Sequence, residues 1–104
     1  MAAKTPAALM PIAGGKGGIY PLAESDSSEW LLGRGNHCEV VLDEPSVSIE
    51  HARLSYQGGA WVLEDLDSSN GTFCGGRHAV RDELSPGELI QLGNLLLLFD
   101  VIES

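Results

Sequence analysis

Three short segments of this chain carry side chains suited to holding a phosphate. Arg34 sits between Gly33 and Gly35, Ser48 lies in a segment that follows Pro45, and Ser68-Ser69-Asn70 is a polar run. A guanidinium offers planar, charge-assisted donors, and hydroxyls and backbone N–H groups on rigid turns complete an oxygen shell. Glycines beside the arginine let the backbone turn tightly. Other chemistries fit less well. Ser48, His51 and an aspartate are the parts of a nucleophilic triad. However, the chain has no Gly-x-Ser-x-Gly elbow, and no oxyanion hole is evident. Gly14-Gly15-Lys16-Gly17-Gly18 has the glycines and lysine of a phosphate loop but lacks the Lys-Ser/Thr ending, so it reads as a linker. His37-Cys38 suggests a thiol nucleophile or a metal ligand. Yet Cys38 and Cys74 make no CxxC and no zinc spacing with the three histidines. They read as free thiols in a reducing compartment. No catalytic residue, metal or cofactor is expected.

The elements that must position these donors are short strands. From Ile19 onward, apolar runs alternate with turn residues: Ile19 to Leu22, Glu29 to Leu32 before the Gly33-Arg34-Gly35-Asn36 turn, and Glu39 to Leu42. His51 to Tyr56 alternates, with Ala52, Leu54 and Tyr56 on one face and His51, Arg53 and Ser55 on the other. Gln57-Gly58-Gly59 is a hairpin signal, and Ala60 to Asp65 returns with Trp61 and Leu63 on one face. Thr72 to Cys74, Leu89 to Leu92 and Leu95 to Ile102 complete the strands, with a turn at Leu84 to Gly87. Trp61, Tyr56 and Phe73 read as packing residues, and Asp65 and Asp67 as solvent-facing or turn-bracing ones. No segment keeps a helical period. The pattern predicts an all-β sandwich or barrel, and in a sandwich the loops of one end converge. Residues 1–18, rich in Ala, Gly and Pro, read as a flexible tail, and residues 19–104 as one domain.

Composition limits the partners. There are 15 Asp+Glu against 6 Lys+Arg, a formal charge of −9. Nucleic acid and anionic membrane both need a positive field, so neither is expected. One phosphate can still bind a local donor cluster, because distant charges are screened beyond about 10 Å. The run Leu95 to Phe99 is too short to cross a membrane, and the first residues make a poor signal peptide. A cytoplasmic location is expected.

The order of the motifs resembles the forkhead-associated (FHA) domain, a phosphothreonine reader. The chain has Gly33-Arg34, then Ser48-Ile49-Glu50-His51, then Asp65-Leu66-Asp67-Ser68-Ser69-Asn70-Gly71-Thr72, then Leu84-Ser85-Pro86-Gly87-Glu88-Leu89-Ile90-Gln91-Leu92-Gly93. The resemblance covers roughly residues 19 to 102. It implies an eleven-stranded β-sandwich of two twisted sheets. It implies that Arg34, Ser48 and Ser69 touch the phosphate. Asn70 would hold the peptide backbone, and Gly33, His51 and Gly71 would be architectural. Where many members carry Arg, Lys or Asn after the serine, this chain has Ile49, which can offer only its backbone N–H, and then Glu50. Glu88 replaces the usual Asp of the closing turn, and Gly75 stands where Asn is common.

The expected function is phosphorylation-dependent protein–protein interaction, downstream of a Ser/Thr kinase. The alternative is a phosphate-independent scaffold that has kept the fold, which Ile49 and Glu50 favour. A further expectation is self-recognition through a phosphorylated Thr5. A free tail from Thr5 to Ile19 would reach up to about 45–50 Å.

Overall fold

The alternation from His51 to Asp65 forms a hairpin in the computed structural model of the chain, which describes residues 7–14, 18–22 and 29–101. Eleven strands follow in order: β1 (Ala7–Ala13), β2 (Tyr20–Leu22), β3 (Glu29–Gly33), β4 (Val40–Val41), β5 (Ala52–Gln57), β6 (Ala60–Asp65), β7 (Thr72–Cys74), β8 (Arg77–His78), β9 (Arg81–Leu84), β10 (Glu88–Leu92) and β11 (Leu95–Val101). No helix occurs among the described residues. The strands form a six-stranded sheet, β2-β1-β11-β10-β7-β8, and a five-stranded sheet, β4-β3-β5-β6-β9. Among the described residues only β3 and β4 pair in parallel. The β5–β6 turn is made by Gly58 and Gly59, both at positive φ (57° and 87°), as a two-residue hairpin requires.

Inward positions of both sheets meet in one core. Leu32, Leu54 and Leu63 of the smaller sheet and Leu9, Ile90, Leu97 and Phe99 of the larger are all fully buried. Trp61 packs against Trp30, Tyr56 and Phe99 with ring centroids 5.2, 5.0 and 5.8 Å away, so one indole joins the two sheets. A fully buried Leu or Phe stabilises by roughly 1.5–3 kcal/mol.

The strand order gives the sandwich two distinct poles. At one, β3, β6, β10 and β1 end and β5, β7 and β11 begin, so the segments around Arg34, Ser48, Ser69 and Asn94 lie together. At the other lie the β5–β6 and β9–β10 turns and the Ala7–Val101 and Ala7–Leu22 pairs.

The expected tail is corrected here. Ala7–Ala13 is strand β1, set between β2 and β11, with Ala7, Ala8 and Leu9 buried. Alanines serve as strand residues because the neighbouring strands supply the packing, a tertiary override of weak β propensity. The register shifts between Pro11 and Ala13, a bulge next to a residue that has no N–H to give. Residues 1–6 and 15–17, including Thr5 and Lys16, lie outside the described residues. The long reach expected from Thr5 also goes. Ala7 sits about 20 Å of strand away from the Ala13 end, while two residues of chain from Thr5 span only about 7 Å.

Candidate functional site

Arg34 is placed by a close meeting of two backbones. A Cβ on Gly33 would lie 2.2 Å from the Ile49 carbonyl oxygen, so only glycine allows the contact. Next to it Arg34 N–H donates to the Ser48 carbonyl (2.9 Å) and Gly35 N–H to that of Ile49 (3.1 Å). The two loops thus run side by side as a short ladder. Arg34 Nε donates to the Val47 carbonyl at 3.0 Å, which fixes the side chain and leaves both Nη groups unpaired among the described residues. The other described Arg side chains, Arg53, Arg77 and Arg81, all pair with Glu64 or Asp82.

His51 joins Ser48 to the third loop. Its ring is fully buried. Nδ1 accepts the Ser48 N–H at 3.0 Å, so Nε2 carries the proton and donates to the Gly71 carbonyl at 2.9 Å. Burial pushes the imidazole below its ordinary pKa, against the Gly71 hydrogen bond and the nearby Asp65, and so favours the neutral ring. Both nitrogens are occupied and neither faces the Ser48 hydroxyl, so Ser48 and His51 are not a nucleophile and its base. Ser48 Oγ instead accepts the Ser69 N–H at 3.1 Å. Its own proton points to no acceptor among the described residues.

Asp65 shapes the β6–β7 loop. Its carboxylate accepts from Ser68 N–H (3.2 Å), Ser68 Oγ (2.5 Å) and Thr72 Oγ1 (2.7 Å). Burial raises its pKa, but these donors outweigh burial and hold it below the ordinary carboxylate value. Ser68 Oγ in turn accepts the Gly71 N–H at 3.0 Å. Gly71 has φ 88°, and a Cβ there would press on the Phe73 ring at 3.1 Å. Asn70 Nδ2 donates to the Ser46 carbonyl at 2.7 Å, and the residue is exposed.

Ser46 escapes the sequence reading, yet it ties three loops together. Besides Asn70, it receives the Asn94 N–H on Oγ at 2.7 Å, and its own N–H and hydroxyl bond the Glu44 carboxylate. A Cβ on Gly93 would lie 2.5 Å from its carbonyl oxygen. The sequence signal was Glu44-Pro45-Ser46, an acceptor two residues before a hydroxyl across a proline turn.

The remaining expected residues fall at the same pole. Ser69 and Ile49 are exposed, and the Ile49 N–H has no partner among the described residues. Glu50 turns to His37 (Nε2 to Oε2, 2.6 Å). Cys38 is buried and its thiol donates to the Ile49 carbonyl at 3.2 Å; burial chiefly raises its pKa, the reverse of a reactive cysteine. Cys74, also free, is pushed up to about 11 by burial. Gly14 and Gly18 flank the connection between two strands, not a strand-to-helix turn, and the residues between them lie outside the described ones. A cleft of about 360 Å³, lined by Tyr56, Trp61, Glu83, Pro86 and Val101, is at the opposite pole. The loop site is an exposed surface, suited to an extended peptide rather than an enclosed small molecule.

A two-sheet sandwich that presents donors from converging loops defines a recognition module. The FHA domain family model matches residues 30–93, and the chain belongs to that family. FhaB of Mycobacterium tuberculosis is 46% identical over 43 residues, covering 41% of this chain and 28% of FhaB. FhaA of the same organism is 31% identical over 80 residues, 77% of this chain and 15% of FhaA. The chain therefore matches well under half the length of either relative. A solved FHA domain from work on phosphothreonine-dependent FHA interactions aligns with TM-score 0.84 at 27% identity, covering 96% of this chain and 100% of that one. No helix among the described residues is long and apolar enough to cross a membrane.

Proposed function

We propose that this domain binds phosphothreonine segments of a partner protein and so makes an interaction depend on a Ser/Thr kinase. The observation that carries the reading is Arg34. In a chain with 15 carboxylates, it is the one described Lys or Arg side chain without an acidic partner, and it stands beside the unclaimed proton of Ser48. The Arg34 Nη groups and the Ser48 hydroxyl donate to the phosphate, with the Ser69 hydroxyl as a third donor. Asn70 Oδ1 and the Ile49 N–H take the peptide backbone on either side. Gly33, His51 and Gly71 hold the loops. The same reading carries the expected cytoplasmic location, where such a kinase would act.

The test is calorimetric titration of phosphothreonine peptides, each with its unphosphorylated twin and with the Arg34→Ala protein. Micromolar binding, about −8 kcal/mol, that needs both phosphate and Arg34 is expected. Losing two charge-assisted donors at about 1.5–3 kcal/mol each weakens it at least 100-fold. Affinity falls as pH drops through the second phosphate ionisation near 6, roughly. Binding unaffected by phosphate would favour the second reading, a phosphate-independent scaffold, for which Ile49, 48% exposed, and Glu50 argue. Self-recognition through phosphorylated Thr5 is compatible with the site only in trans, given the reach from Ala7.

A further inference from the structure

The site proposed for phosphate lies in a strongly acidic setting. Glu39, Asp43, Glu44 and Glu50 share the segment between β3 and β5 with Arg34, and Asp67 lies in the β6–β7 loop. Arg34 is the sole Lys or Arg in those segments. A phosphothreonine carries nearly two negative charges. With the whole chain at −9, the field outside the first donors repels it.

Glu50 is the carboxylate best placed to sense what flanks the phosphothreonine. It is two residues from Ser48, on the strand of loop that Arg34 and Gly35 hold by backbone hydrogen bonds. His37 anchors it at 2.6 Å without covering it: the side chain stays 55% exposed. Ile49, 48% exposed, stands between Ser48 and Glu50. It offers an apolar surface for the methylene stem of a lysine or arginine whose charged head reaches Glu50.

Resting on the phosphothreonine reading above, we infer that the domain selects phosphothreonines embedded in a basic segment, and that Glu50 is the residue that makes the selection. The partner is then a protein phosphorylated within a Lys/Arg-rich stretch. The cation supplies the attraction that the domain's own field denies to the phosphate.

The test uses phosphothreonine peptides with three lysines, three alanines or three glutamates placed before or after the phosphothreonine. Each is titrated against the intact chain and against Glu50→Gln at 50 and 500 mM salt, with unphosphorylated twins throughout. About a ten-fold preference for the lysine flank over the glutamate flank is expected at low salt, shrinking at high salt. In Glu50→Gln the preference falls to about three-fold or less, the scale of losing one exposed ion pair. The side that responds reports the peptide direction. Phosphate-dependent binding with equal affinity for all flanks would overturn the inference while leaving the phosphothreonine reading intact. A lysine preference undiminished in Glu50→Gln would overturn the role of Glu50. Lysine peptides that bind equally well without phosphate would overturn both readings.

Discussion

Replacing His51 by phenylalanine tests whether the loops depend on one buried ring. The substitution keeps an aromatic of similar size and removes both hydrogen bonds. It leaves the Ser48 N–H and the Gly71 carbonyl without their partners. A buried orphan of this kind costs about 1–3 kcal/mol, and with both groups partly buried the loss is at most about 2–6 kcal/mol. That is a large part of the roughly 5–15 kcal/mol by which a domain is stable. Urea unfolding followed by tryptophan fluorescence measures it. With m near 1.5 kcal/mol/M, a loss of about 4 kcal/mol lowers the midpoint by about 2–3 M. The pH dependence is the sharper readout because it does not depend on how well phenylalanine packs. The folded state lowers the pKa of His51, chiefly through burial. The contribution is therefore complete above the unfolded value, about 6.5, and is lost as pH falls through the folded value. One proton sets the limiting slope at about 1.4 kcal/mol per pH unit. The natural chain should lose stability between pH 6.5 and 5 more steeply than His51→Phe. Equal slopes would refute the neutral, double-bonded imidazole.

Two further outcomes follow from the same geometry. Asp65→Asn puts an amide N–H donor where one of the two carboxylate oxygens now accepts from Ser68 and Thr72, and should cost about 2–4 kcal/mol in urea unfolding at pH 7. Because Asp65 is held below its ordinary pKa, its contribution is present above about pH 4 and lost as pH falls through the folded value, so acid unfolding of the variant should be less steep. Deleting residues 1–13 removes β1, strips β2 of its sheet partner and uncovers β11; the thermal transition seen by circular dichroism should disappear, whereas loss of a mere tail would leave it unchanged.

The strands that alternate were legible because apolar and polar side chains contrast along them, even though Ser55, on the polar face of β5, is buried as well. Ala52 and Leu54, and Trp61 and Leu63, all reach the core. The three strands that escaped lack that contrast. β1 is built of small residues with a proline, and its burial comes from neighbours distant in sequence. β8 and β9 are sheet edges carrying Arg77, His78, Arg81 and Glu83, where charge guards an open edge instead of marking a core face. Leu95–Leu98 could not be assigned by period, and the reason is visible: Leu95 and Leu97 are buried while Leu96 and Leu98 are partly covered on the outer face. Within the site, Arg34 and Ser48 were legible as donor types beside turn residues. Ser46 was not, since its partners Asn70, Gly93 and Asn94 are 24 to 48 residues away.

The pairing of Ala7 with Val101 has a practical side. Directly paired antiparallel residues sit about 4.5–5.5 Å apart, so the backbone enters and leaves the sandwich through almost the same point. A host protein can receive such a module within a single surface loop, because the inserted ends span no more than the loop's own gap. Coupling to a bead or a fluorescent reporter through either strand end should likewise leave the loops at the far pole open to a peptide.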